Sequence, residues 1–402
     1  MLQEGLTIVT ELLMLFLTIC LAGAVLILAI SIRKRVLTGK QIPKLFDDIP
    51  IHQAQLVSII VPFRNEEANL PTLLEMLKQQ DYPNIEIILA NDQSTDNSLK
   101  IAENFAKEFP NTKVVSVKDR PAGWVGKTWA CEQGFKAASG EWLLFTDADV
   151  KFEESAVRRA LGFAISKNLD VLTLMPKIVC RSIWAKLIQP FFYHFLLVLY
   201  SPLKVNDVNN PFAYVFGAFF LIRKSTYIGV GTHEAVKNSI IEDRAFGALA
   251  KQKGAKLLMI DGSESYSSVW ASTLSDVIHG MERIASFSIS VNPFRGVFFA
   301  AGVFVITTLP FLVVPAALFW YSQSVTYAGI ILILSSLAAT LVVIASSIEV
   351  LGPLKLSIAY IIAAPIGGLL FAAAMLTAAY KNAFRKRIVW KGRAYSTSEI
   401  EF

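Results

Sequence analysis

At 402 residues the chain has room for one large domain and a membrane part. Hydrophobic residues make up 54% and mean hydropathy is +0.49, which excludes an ordinary soluble globule. The net charge of +6 comes without a dense basic stripe interleaved with aromatics, so an anionic lipid surface, not nucleic acid, is the expected partner.

In chain order the first element is Leu12–Ile32, an uncharged run long enough to span a bilayer. Arg33-Lys34-Arg35 follows it, which predicts a cytoplasmic exit with Glu4 and Glu11 on the far side. The run is long for a signal-peptide core and no small-residue cleavage site follows, so a retained anchor is expected. Leu56–Val61 then reads as a strand ending at Pro62, and Leu70, Leu73, Leu74 and Leu77 fall on one helical face. Ile85–Ala90 is the next strand. Leu99, Ala102 and Ala106, with Ile101, Phe105 and Phe109, again have helical spacing. Lys113–Val117 and Trp142–Phe145 are further strands. Leu187–Leu203 is apolar almost all round and reads either as an interfacial helix that delivers a lipid or as a buried core helix. Three apolar stretches follow, roughly Val297–Tyr321, Val325–Ser346 and Leu354–Tyr380, and then a tail with Lys381, Arg385, Lys386, Arg387, Lys391 and Arg393. Three full spans would leave this basic tail outside, against the positive-inside rule. One stretch is therefore expected to be re-entrant or interfacial, with breaks at Leu309-Pro310, Pro315 or Pro365-Ile366-Gly367-Gly368, and the tail is expected inside. Cys20, Cys131 and Cys180 have no metal-like spacing and suit a reducing compartment.

Strands separated by single helices predict right-handed crossovers and a mostly parallel sheet, with ligands outside the carboxyl ends of the strands. Polar clusters lie there: Arg64-Asn65-Glu66-Glu67, Asn91-Asp92-Gln93-Ser94-Thr95-Asp96 and Asp147-Ala148-Asp149. On an extended strand end the last two acids face one side and offer hard oxygens to Mg²⁺ or Mn²⁺. Alone the pair is a weak signal, because acids are common in turns and caps. A fourth cluster, the acidic pair Glu242-Asp243, precedes a helix expected over Arg244–Lys251.

In order and spacing these four clusters resemble the inverting family 2 glycosyltransferases of GT-A fold, over about residues 56–285. The apolar ends fit the lipid-acceptor branch of that family. Gly123-Trp124-Val125-Gly126-Lys127-Thr128-Trp129-Ala130 and Gly217–Arg223 resemble its hopanoid-associated and carotenoid-type members, which are membrane-attached. Trp390-Lys391-Gly392-Arg393-Ala394-Tyr395 resembles that group and the ceramide glucosyltransferases. Processive synthases carry Gln-x-x-Arg-Trp after the acid pair. Here His279 stands in the Gln position and Ile284, not Trp, follows Arg283, which argues against polymerisation.

The resemblance implies an α/β, Rossmann-like GT-A domain on the cytoplasmic side, between N-terminal and C-terminal transmembrane helices. The expected division is an anchor over 1–35, the catalytic domain over 36–290, membrane or re-entrant segments over 291–380 and a basic tail over 381–402. It also implies a nucleotide-sugar donor, UDP-linked by resemblance alone, and a lipid hydroxyl as acceptor. Pro62, Arg64 and Glu66 fall in the family's first nucleotide loop. Asp92 falls in the second, where Asn91 replaces the usual first Asp. Glu66 and Asp92 would accept from ribose and base, or cap the following helices. Asp149, assisted by Asp147, would hold Mg²⁺ or Mn²⁺ on the diphosphate. Asp243 is the expected general base, with Glu242 the alternative, unless the pair only opens its helix. Lys127 and Arg283 are candidate cations for phosphate or acceptor, or solvated charges. Arg393 reaches the diphosphate or anchors to headgroups. Trp124 and Trp129 stack on a sugar or pack near the interface. Transfer to polyprenyl phosphate is the alternative reaction. A processive synthase and a catalytically silent scaffold rank below it.

Overall fold

The computed structural model describes residues 2–45, 54–269, 273–280, 293–323, 325–352, 354–385, 387–390 and 393–396. It divides into two compact units, one of Met1–Lys40, Cys180–Ser201 and Ala271–Arg385, the other of Gln41–Val179, Pro202–Trp270 and Lys386–Phe402.

The second unit is built on a seven-stranded sheet. Its strands are β1 (Val57–Phe63), β2 (Ile85–Asn91), β3 (Thr112–Ser116), β4 (Trp142–Phe145), β6 (Val171–Met175), β8 (Phe220–Arg223) and β9 (Leu257–Asp261), in the order β3-β2-β1-β4-β8-β6-β9. Every neighbouring pair is parallel except the two made by β8. A small second sheet joins β5 (Val150–Phe152), β7 (Lys177–Ile178) and β10 (Tyr266–Ser268), and the tail folds into the hairpin of β11 (Arg387–Trp390) and β12 (Arg393–Ser396). All seven positions of β1 and of β2 are buried. Their unbroken apolar runs are what strands covered on both faces require. Leu70, Leu73, Leu74 and Leu77 are buried on α2 (Leu70–Lys78), the face their spacing predicts.

The sheet opens where β1 meets β4. Their pairing ends at Ile60 opposite Phe145, and the Ile60 carbonyl accepts from the Thr146 amide at 3.1 Å. Two residues on, Pro62 turns the same edge toward the side β4 has left. A proline, which has no N–H, is tolerated there because no ladder partner is waiting. The chain leaves β1 for β2 on one side and β4 on the other, so this gap is the topological switch point of the sheet.

The first unit is helical and apolar. Within α1 (Leu2–Gln41), Ile8–Gln41 is long and apolar enough to cross a membrane, and so is Tyr327–Leu351. Phe294–Thr307 and Leu309–Gln323 are bent by 55° at their junction and count as a third span if taken together. The bend falls at the expected Leu309-Pro310 break, where Pro310 cannot donate to the preceding turn. Pro365 instead sits in the first turn of the helix Ala364–Arg385, where a proline costs nothing. On α1, Ile8, Leu12, Phe16 and Ile19 are about 60% exposed, an apolar surface that hydrocarbon satisfies and water does not. The apolar helix Ile183–Leu199 belongs to this unit.

Candidate active site

The loops after β1 and β2 are laced to each other. The Asn65 amide donates to Ser94 Oγ (3.1 Å) and the Thr95 amide to Asn65 Oδ1 (2.8 Å). The Glu66 amide donates to Ser98 Oγ at 2.7 Å, and the Glu67 amide to Asp96 Oδ2 at 3.1 Å. Asn65 and Gln93 both take left-handed backbone, with φ of 53° and 55°. That curl turns two carbonyls inward, and Arg64 Nη1 donates to both, Asp92 O at 2.7 Å and Gln93 O at 2.6 Å. Arg64 thus braces the second loop. The Glu66 carboxylate, buried, accepts from Asn69 Nδ2 at 2.8 Å.

At the switch point the centre of the site is Lys127, the second residue of α4 (Gly126–Ala137). Its Nζ lies 2.6 Å from Asp147 Oδ1 and 2.7 Å from Glu242 Oε1. One ammonium therefore joins the acid after β4 to the acid that opens α9 (Glu242–Gln252). Burial works against that charge, but Asp147, Glu242 and Asp243 outweigh it and hold the lysine well above its usual range. Asp243 accepts from the Gly217 amide at 3.2 Å and the Arg244 amide at 2.8 Å. Burial and the neighbouring Glu242 push it up to about 6, against Lys127 and the two amides. A Cβ on Gly217 would lie 3.1 Å from Lys127 Nζ and 3.5 Å from Asp243 Oδ2, so glycine keeps this corner open. The pocket wall includes Pro62, Thr146 and His233. His233 Nδ1 is 2.6 Å from Tyr227 Oη, and burial followed by the Lys127 charge lowers it to about 3, so it is neutral.

The family model described as Glycosyl transferase family 2 matches residues 58–230. This stretch is similar to that family. 4,4'-Diaponeurosporenoate glycosyltransferase of Staphylococcus aureus (strain USA300) is 27% identical over 208 residues, 51% of this chain and 54% of that protein. The chain thus spans about half the length of the curated relatives it matches. The mannosyltransferase PcManGT from Pyrobaculum calidifontis, solved in complex with GDP-Man and Mn²⁺, aligns with a TM-score of 0.53 at 15% identity, over 94% of this chain and 99% of that one. That likeness shows the fold, and the GT-A architecture expected from the motifs is the one observed.

The remaining expected residues fall both inside and outside the matched stretch. Asp147 and Asp149 sit in the turn between β4 and β5, not on a continued strand, with Asp147 half-buried and Asp149 exposed. Among the described residues no three His, Cys, Asp or Glu side chains are grouped to hold a metal. Two hard carboxylates without a third protein ligand fit Mg²⁺ or Mn²⁺ where substrate phosphates complete the shell. Trp124 and Trp129 pack edge to face, with ring centroids 4.8 Å apart. His279 lies within 3.3 Å of Ser275 Oγ, and Arg283 lies outside the described residues. Arg393 is on Asp92: its Nη1 donates to both carboxylate oxygens, at 2.9 and 2.7 Å. Two features carried no assigned role in the sequence. One is Gly217, quoted only as part of a resembling segment. The other is the Tyr227–His233 pair, for which neither spacing nor composition gave a signal.

Proposed function

We propose that the chain transfers a sugar from a nucleotide-sugar, UDP-linked, to a hydroxyl of a membrane lipid, with inversion, at the cytoplasmic face. The observation that carries this reading is the arrangement of the two acids that open α9. Glu242 is engaged by Lys127, while Asp243 is held by backbone amides in a site that raises it to about 6. A carboxylate so placed is matched to removing a hydroxyl proton near neutral pH. With Glu242 tied to Lys127 and the carboxylates after β4 assigned to the diphosphate, a single base favours direct displacement and inversion.

In this reading Glu66 and Asp92 accept from ribose and base, and Pro62 and Arg64 shape the loops that seat them. Asp147 and Asp149 would hold Mg²⁺ or Mn²⁺, which supplies Lewis-acid neutralisation of the leaving diphosphate. Lys127 keeps Asp147 and Glu242 in register and adds positive charge beside the departing phosphate. Arg283 is assigned to the same anion. The lipid acceptor is supported by the apolar helices and by the name of the S. aureus relative, a diaponeurosporenoate glycosyltransferase. The catalytic segment is taken as 36–290, between an anchor over 1–35 and membrane segments over 291–380, with the tail over 381–402 inside.

The test is a transfer assay. Purified protein receives a panel of radiolabelled nucleotide-sugars, Mn²⁺ or Mg²⁺ and host lipid, beside Asp149→Ala. Metal-dependent label in a lipid band, lost in the variant, is expected. Failure to turn over any donor, together with no nucleoside-diphosphate binding by calorimetry, overturns the reading.

A further inference from the structure

Asp92 follows β2 and is the acid the donor reading assigns to the base and ribose. It is closed to solvent, with its side chain 8% exposed and that of Arg393 15% exposed. The cation on its carboxylate belongs to a residue 301 positions away in the chain. Arg393 opens β12, takes both carboxylate oxygens with Nη1, and reaches Gln93 Oε1 with Nη2. The pair rests on the first residue of α4. A Cβ at Gly126 would collide with Arg393 Nη1 and Asp92 Oδ2, so the seat exists only because that residue is glycine.

The loop does not depend on this contact for its shape. Arg64 holds the Asp92 and Gln93 carbonyls from below, Ser94 and Thr95 bond to Asn65, and Gln93 Nε2 donates to the Lys118 carbonyl at 2.6 Å. Taking Arg393 away leaves the loop laced and frees both carboxylate oxygens of that guanidinium. A guanidinium–carboxylate pair largely withdrawn from water is a strong competitor for the lone pairs that a base N–H or ribose hydroxyl needs.

We propose that Arg393 is a latch on the nucleotide subsite: the tail hairpin seals Asp92 in the donor-free chain, and an entering nucleotide must displace it. The inference rests on the donor reading above. A closed subsite lowers apparent affinity by the fraction of chains that are open. Donor binding and release of the hairpin β11–β12 are then one equilibrium.

The experiment uses the full chain in detergent with Mn²⁺ and titrates UDP and GDP separately by calorimetry into the native protein and Arg393→Gln. If the latch holds about nine chains in ten closed, the variant binds roughly tenfold more tightly. A second measurement needs no variant: amide exchange of residues 387–390 and 393–396 in the native protein speeds up when nucleotide is added. Weaker or unchanged binding by Arg393→Gln, or a hairpin that nucleotide protects, makes Arg393 a donor contact and overturns the latch while the donor reading stands. Absence of nucleotide binding in both proteins overturns the donor reading and the latch with it.

Discussion

Asp243→Asn isolates the proton transfer. The amide keeps the shape of the carboxylate and one oxygen for the Gly217 amide (3.2 Å) or the Arg244 amide (2.8 Å), gives up the other of these two bonds, and cannot take a proton. A positioned general base contributes about 10²–10⁴-fold. At about 1.36 kcal/mol per decade this is roughly 3–5 kcal/mol of barrier. The pH dependence is an independent handle. Asp243 acts ionised, and burial with Glu242 raises it to about 6. Below that value it is protonated and idle, so kcat/KM falls about tenfold per pH unit, and above it the rate is flat. At pH 5 the native enzyme keeps roughly a tenth of its plateau, whereas an aspartate near its ordinary value of about 3.9 would keep nearly all of it. The assay is initial transfer rate from pH 4.5 to 8.5 at fixed donor and lipid, for the native protein and the variant. A rate for Asp243→Asn within tenfold of native at pH 7.5 refutes the assignment. An acceptor that is already an anion, such as polyprenyl phosphate, would give that result. A native profile flat down to pH 5 refutes the environment argued for Asp243.

Lys127→Met removes the cation that opposes Asp243 protonation, so the acid limb of the same profile moves to higher pH. It also leaves Asp147 and Glu242 without their shared ammonium, which a lowered melting temperature reports. Gly217→Ala puts a methyl 3.1 Å from Lys127 Nζ. Lys127 must then give by a few tenths of an ångström. We expect a loss of kcat of up to about tenfold with little change in melting temperature, because a displacement of about 1 Å at reacting groups costs on the order of a hundredfold. Far from the site, Glu86 of β2 accepts from Ser58 Oγ (2.6 Å), Lys113 Nζ (2.9 Å) and the Gly140 amide (3.2 Å). Burial raises this carboxyl, yet the bonds from Ser58, Lys113 and Ser139 outweigh it and hold it below its usual 4.5. A depressed carboxyl stabilises the fold above its unfolded value and loses that contribution as pH falls through the folded one. Melting temperature measured from pH 7 to 3.5 should therefore fall below pH 4.5, and Glu86→Gln should flatten that fall at a cost of about 2 kcal/mol at pH 7.

What the sequence disclosed and what it hid divide along the range of the interactions. β1 and β2 were readable because strands buried on both faces need continuous apolar runs, and α2 because its four leucines repeat at helical spacing. The polar clusters were readable because a parallel sheet presents its strand ends at one edge. Spacing could not say how those clusters divide the work between ligand and scaffold. Arg64 braces carbonyls because a left-handed Gln93 turns them inward, and a buried carbonyl needs a donor. The acid after β4 and the acid opening α9 read as two separate motifs, one for metal and one for base. They are one electrostatic unit because a single lysine is within 2.7 Å of both. Such a link is invisible in a chain where Asp147 and Glu242 belong to distant segments. It arises only when β8 is inserted antiparallel beside β4 and carries Gly217 to the head of α9. The Asp92–Arg393 pair extends the argument to its limit. Its partners lie 301 positions apart, Arg393 well beyond the stretch the family model matches, and neither local propensity nor motif spacing encodes the match between a carboxylate and a guanidinium. What the sequence does hold is Gly126, the absent side chain that lets the two meet.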